Sequence, residues 1–191
     1  MATREIILAL LLSTNSANND SCYLKTSMDY DINYDEPVEI YFKGERRFIN
    51  ITTIPFRRKD GGFFKLEKTA AIQFVKLAKK AKKAGFTLQV NSAFRTSKEQ
   101  QALRRKLGAI AAVAGKSAHQ LGLAIDLSGT TLIIPNGKIN KKFYSNRYCK
   151  KVKGGVRCPT RLSWWLQSNA PLYGFFNNVP NEPWHYAFKL M

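Results

Sequence analysis

The chain has 191 residues, 45% hydrophobic and 12% aromatic, enough for one substantial core and too apolar for a disordered polymer. Its formal charge of +18 is unevenly spread: residues 1–50 hold five bases and eight acids, residues 51–191 twenty-six bases and five acids. So basic a body fits polyanionic partners, whether nucleic acid, an anionic membrane surface or acidic envelope polymers, and composition does not choose among them.

The N-terminus carries an apolar run from Ile6 to Leu12, which is too short to span a bilayer. Residues 1–17 form a marginal candidate signal sequence, because the run lies at the lower length limit and Glu5 cancels Arg4; a strand or short helix packed on the core is the alternative. The charge changes sign near Asn50. That is a candidate boundary; a segment 1–60 has no assigned role, and the body is taken as 61–191.

In the body, Leu66, Ala70, Phe74, Leu77 and Ala81 recur at helical spacing, lysines fill the opposite face and Gly85 supplies the stop. A short strand over Phe86–Val90 leads into NSAFR. A second helix begins after Thr96, whose spacing to Glu99 is that of a capping box, and is expected to turn Leu103, Leu107 and Ile110 inward. Arg95 thus lies at a strand-to-helix junction. Residues 129–159 are turn-rich and basic, a surface insertion in which Gly154-Gly155 suits a reversal between Cys149 and Cys158. A disulfide there and two free thiols both remain open, and Cys22 has no evident mate. A third helix over Arg161–Asn169 precedes Tyr173–Phe176 and a final strand, Trp184–Leu190.

Two segments carry chemistry. In KSAHQLGLAIDLS, from Lys116 to Ser128, a strand reading puts Leu121, Leu123, Ile125 and Leu127 on one face and Gly122, Ala124 and Asp126 on the other. A carboxylate on a half-buried strand needs a cation, and its small neighbours leave room for one. The last strand repeats the arrangement, with His185 and Ala187 opposite Trp184, Tyr186 and Phe188. His119 and His185 are the only histidines of the chain. Two imidazoles and a carboxylate are a usual catalytic zinc set with a fourth position left open, and Glu182, three residues before His185, can serve as general base. Taken singly, each of these residues is more often an ordinary core or surface group. The joint pattern favours Zn²⁺ at His119, Asp126 and His185.

The residues also carry a family resemblance. Ser117, His119, Gly122, Ala124 and Asp126 match an SxHxxGxAxD motif, and Glu182–His185 reads EPWH. In this order and spacing they resemble the zinc D-alanyl-D-alanine carboxypeptidases of the vancomycin-resistance type, relatives of lysostaphin-like peptidases and the hedgehog signalling domain. NSAFRTSKEQ is similar to the family's SGYRS segment, with Ala93 and Phe94 replacing its usual Gly and Tyr. The resemblance covers roughly residues 65–191. It implies an α+β fold, a small antiparallel sheet carrying the zinc site and flanked by helices. It further implies Arg95 on the terminal carboxylate of a peptidoglycan stem peptide, with Ser117 and Gln100 orienting substrate.

The expected activity is zinc-dependent D,D-carboxypeptidase hydrolysis, releasing a C-terminal D-Ala or related D-residue at the cell envelope. An endopeptidase of the phage-endolysin kind is the rival within enzymes, since positive charge suits a lytic protein; such peptidases commonly carry aspartate where Glu182 stands. A non-catalytic polyanion or cell-wall binding module should have lost its base or a ligand, and none is lost. A nucleic-acid binder should show a recognition motif, and none appears. Nothing in the sequence speaks to oligomeric state.

Overall fold

Two antiparallel hairpins open the part of the chain that the computed structural model describes, residues 37–135 and 149–189. The Ile6–Leu12 run, the candidate signal sequence and Cys22 lie outside the described residues. Strands β1 (Val38–Phe42) and β2 (Glu45–Ile49) are joined by Lys43-Gly44, with φ of 54° and 84°. Such a pair of positive φ angles is what a two-residue turn needs to follow the twist of its strands. The hairpin reaches the rest of the molecule through Lys43 N–H, which donates to Gly115 O at 2.7 Å. Strands β3 (Ile51–Arg57) and β4 (Phe63–Glu67) form the second hairpin. Ile54 and Phe56 enter the same core as Phe74, so residues 51–57 share the packing of the 61–191 body.

Glu67 ends β4 and caps helix α1 (Lys68–Lys83), accepting from Thr69 N–H at 2.8 Å and Ala70 N–H at 3.0 Å. The buried stripe is Ala70, Ala71, Phe74, Leu77, Ala78 and Ala81. Leu66, which the helical spacing included, instead pairs with Thr52 in β4. It is buried in the same core either way, so spacing alone could not separate strand from helix. Phe74 sits at the centre, its ring 5.2 Å from Phe56 and 5.8 Å from Phe175.

Strand β5 is Val90–Ser92, displaced from the expected Phe86–Val90 because β6 (Ala124–Leu127) pairs with Val90 and Ser92, while Phe86 packs on Trp165. Helix α2 (Ser97–Leu107) has the expected capping box. Its apolar face is not as expected. Leu107 is 41% and Ile110 79% exposed, and the buried residue of the helix is Gln100. The 108–116 loop is held along α2 by polar bonds, from Gln100 to Ala112 O and from Arg104 to Ala111 O. Leu107 and Ile110 lie past those bonds and face solvent.

The central sheet runs β10 (Phe175–Phe176), β11 (His185–Phe188), β6, β5, all antiparallel. The strand expected from Leu121 begins only at Ala124, because Ala118–Leu121 is a short 3-10 helix. Gly122 ends it at φ 66°, where a Cβ would lie 2.5 Å from Glu67 N, and Gly122 O accepts from Glu67 N–H at 2.9 Å. Only glycine lets the turn dock there. The basic insertion is a sheet where described: β7 (Thr131–Pro135), β8 (Lys150–Val152) and β9 (Gly155–Pro159) in the order β7-β9-β8. Cys149 and Cys158 are bridged. Helix α3 occupies Arg161–Asn169 as expected, capped by Thr160. The protein is thus α+β, with three α-helices and four small antiparallel sheets among the described residues.

A pair of alanine substitutions separates turn strain from close packing. Gly44→Ala meets open space at φ 84° and should cost about 1–2 kcal/mol, the ordinary penalty of a left-handed residue. Gly122→Ala adds a backbone clash and should cost clearly more in urea unfolding at unchanged m. Equal shifts in midpoint would contradict the docking of the 3-10 turn on Glu67.

Candidate metal centre

Antiparallel pairing of β6 with β11 sets Asp126 directly opposite His185, so the two side chains share a face of the sheet. The 3-10 turn before β6 brings His119 to the same point. His185 Nδ1 lies 3.0 Å from Asp126 Oδ1, His119 Nε2 3.4 Å from Asp126 Oδ2, and the two histidines approach at 3.3 Å between Nε2 and Nδ1. An ion held tetrahedrally at zinc bond lengths of about 2.0–2.1 Å has ligand atoms about 3.3 Å apart. The two imidazole nitrogens therefore stand at that spacing from each other, and each stands near it from one of the two oxygens of Asp126. His119, Asp126 and His185 are the group of metal-ligating side chains found together among the described residues.

The surroundings of His119 and Asp126 favour the forms that bind metal. His119 Nδ1 lies 2.7 Å from Ala93 O, and a carbonyl can only accept, so the proton is on Nδ1 and the lone pair on Nε2 points to the site. Burial also lowers the pKa of His119, against the pull of Asp126. Burial opposes ionisation of Asp126, but its two imidazole neighbours, His119 and His185, outweigh it and hold the carboxyl well below the usual range. The 182–185 turn is fixed by Asn177, whose amide donates to Glu182 O at 2.8 Å and His185 O at 2.7 Å.

The other expected residues divide. Arg95 NH2 is 3.7 Å from Asp126 Oδ2, and Arg95 NH1 donates to Gln100 Oε1 at 2.9 Å. Burial lowers the Arg95 pKa, against the charges of Asp126, Glu182 and Glu99, which raise it. The Nε of Arg95 is buried and has no hydrogen-bond partner among the described residues. Gln100 is only 1% exposed, and its Nε2 donates to Ala112 O. With both ends of its amide engaged, Gln100 holds Arg95 rather than presenting a free group. Ser117 is buried at the start of the 3-10 turn, and its hydroxyl has no hydrogen bond among the described residues. Three supports were missed in the sequence: Ala93 O, Asn177, and Gln120, which accepts from Gly115 N–H and donates to Ser97 Oγ. A backbone carbonyl leaves no residue signature, and the two amides resemble ordinary turn residues.

Comparison with known proteins gives the following. The family model VanY, D-alanyl-D-alanine carboxypeptidase, matches residues 64–190. YodJ of Bacillus subtilis (strain 168), named as a carboxypeptidase, is 29% identical over 143 residues, which are 64% of this chain and 46% of that protein. The chain thus spans about half the length of this relative. Among solved structures, VanYB in complex with D-alanine-D-alanine is 21% identical with a TM-score of 0.48, covering 69% of this chain and 75% of that one. A VanY D,D-pentapeptidase variant from a VanB-type resistance cassette, in complex with Zn(II), is 22% identical with a TM-score of 0.47, covering 69% and 76%.

The donor triangle predicts one tight site. Titrating the metal-free chain with Zn²⁺ should saturate at about one ion per chain, and Asp126→Ala should weaken binding by more than the roughly 10- to 100-fold typical of losing an outer partner. Saturation unaffected by Asp126→Ala would place the ion elsewhere.

Proposed function

The chain belongs to the VanY D-alanyl-D-alanine carboxypeptidase family, and on that premise we propose that it is a zinc-dependent peptidase that removes the C-terminal D-residue of peptidoglycan stem peptides. The observation that carries this reading is the triangle of His119, Asp126 and His185 donor atoms at zinc spacing. It supports the ligand roles of those three residues. Envelope polymers are the partners proposed for the basic surface, and the cell envelope is the proposed place of action. No helix among the described residues is long and apolar enough to cross a membrane.

A zinc ion bound here would polarise the scissile carbonyl and make water acidic enough to attack near neutral pH. The protein's own groups do the rest. Glu182 is held by its backbone at the turn that ends in His185, with His185 N–H donating to Glu182 O at 3.0 Å. Its carboxylate takes the proton from the attacking water and passes it to the leaving amine. Arg95 receives the substrate's terminal carboxylate. Its tether to Gln100 fixes the guanidinium, and a carboxylate pairs with such a group through charge-assisted hydrogen bonds. Ser117, whose hydroxyl caps no helix N–H, orients the peptide in this reading.

Two substitutions test the roles. Glu182→Gln should lower kcat by roughly 10²-fold or more while zinc content holds; near-normal turnover would move the base elsewhere. For Arg95, a stem ending in a free carboxylate should be cleaved and the same stem amidated should not. Arg95→Ala should erase most of that discrimination, since a hydrogen bond to a charged group is worth about 1.5–3 kcal/mol. Equal cleavage of the two stems by the unaltered protein, or products cut inside the stem, would favour the endopeptidase reading instead.

A further inference from the structure

We propose that Arg157 and Lys150 of the basic insertion are positioning residues for the turn that carries Glu182 and His185, and that the Cys149–Cys158 bridge holds them in place; the kinetic part of this rests on the peptidase reading above. The guanidinium of Arg157 lies over the ring of Trp184, 5.3 Å from its centroid. Lys150 Nζ donates to Asn181 Oδ1. Asn181 takes φ 68°, one of two non-glycine residues with positive φ among the described residues, and immediately precedes Glu182. The two contacts thus touch both sides of the Glu182-Pro183 segment.

Neither contact is strong alone. A cation over an indole is worth about 0.5–1 kcal/mol at an exposed site, and an exposed hydrogen bond is similarly modest. Their weight comes from being delivered together. Lys150 and Arg157 are register partners across β8 and β9, and each half-cystine is the chain neighbour of one of them, Cys149 before Lys150 and Cys158 after Arg157. Strand β9 is also paired along its length with β7, and Gly155 lies so close to the Ile134 carbonyl that no larger residue fits. From the other side Asn177 holds the carbonyls of Glu182 and His185. The turn is therefore gripped by Asn177, which follows β10, and from the insertion by Lys150 and Arg157. A base displaced by about 1 Å can cost roughly 10²-fold in rate, so this grip acts on kcat.

The test compares the zinc-loaded protein with Arg157→Ala, Arg157→Lys, and the unaltered protein reduced by a phosphine that leaves the fold intact. Amide hydrogen exchange should quicken by about 10-fold or more at Glu182 and His185 in Arg157→Ala and on reduction, with Phe188 N–H, bonded to Leu123 O in the sheet, unchanged. Bound zinc should remain at about one per chain, kcat should fall several-fold with KM nearly constant, and Arg157→Lys should recover most of both effects. Unchanged exchange at Glu182 and His185 would overturn the proposal, as would a loss confined to KM. Faster exchange in a protein that cleaves no stem peptide in any form would overturn the peptidase reading and leave the grip on the turn standing.

Discussion

Everything at the centre depends on one register: Asp126 of β6 facing His185 of β11. A slip of one residue would set His185 against Ile125 or Leu127 and turn the imidazole away from the carboxylate. The pairing is protected on the opposite face, where Ile125, Leu127, Tyr186 and Phe188 belong to the main core with Phe74 and Phe175. Burial of the apolar face therefore fixes the chemistry of the polar one. It also explains why a carboxylate is tolerated there. Asp126 is mostly withdrawn from water, and without its two imidazoles and the nearby Arg95 it would carry an uncompensated cost of several kcal/mol.

The third donor comes from outside that pairing, so it needs supports of its own. His119 sits on a 3-10 turn, a weak element by itself. Gly122 docks the turn on the cap of α1, Ala93 O fixes the imidazole, and Gln120 ties Gly115 to the start of α2. Arg95 is similarly borrowed, since Gln100 anchors it to the loop at Ala112. The hairpin formed by β1 and β2 meets this same loop at Gly115, so the chain before the family-matched span is joined to the segment that carries the site.

The grouping of His119, Asp126 and His185 was legible in the sequence because histidine is scarce here and each of the three sits near a small residue, a pattern that survives whether the surrounding backbone is strand or turn. Helices α2 and α3 were legible from Thr96, Glu99 and the Arg161–Asn169 spacing. The strand reading of residues 121–127 failed over its first half because Gly122 was counted as a small side chain, when its φ of 66° is what matters. The inward face of α2 failed because Gln100, a polar residue, is its buried anchor, and the exposure of Leu107 and Ile110 follows from bonds to two backbone carbonyls. The bonds of Gln100 to Arg95 and to Ala112 O were not visible in the sequence, because no spacing rule pairs these groups.

The account's central claim is that this triangle of side chains, loaded with zinc, trims the end of a peptidoglycan stem. The direct measurement is mass analysis of the products from a defined free pentapeptide stem, using metal-free protein and the same protein reloaded with Zn²⁺. The account predicts loss of one C-terminal D-residue with the reloaded protein and an intact stem with the metal-free one. Cleavage that persists without metal, or fragments from a cut inside the stem, would contradict it.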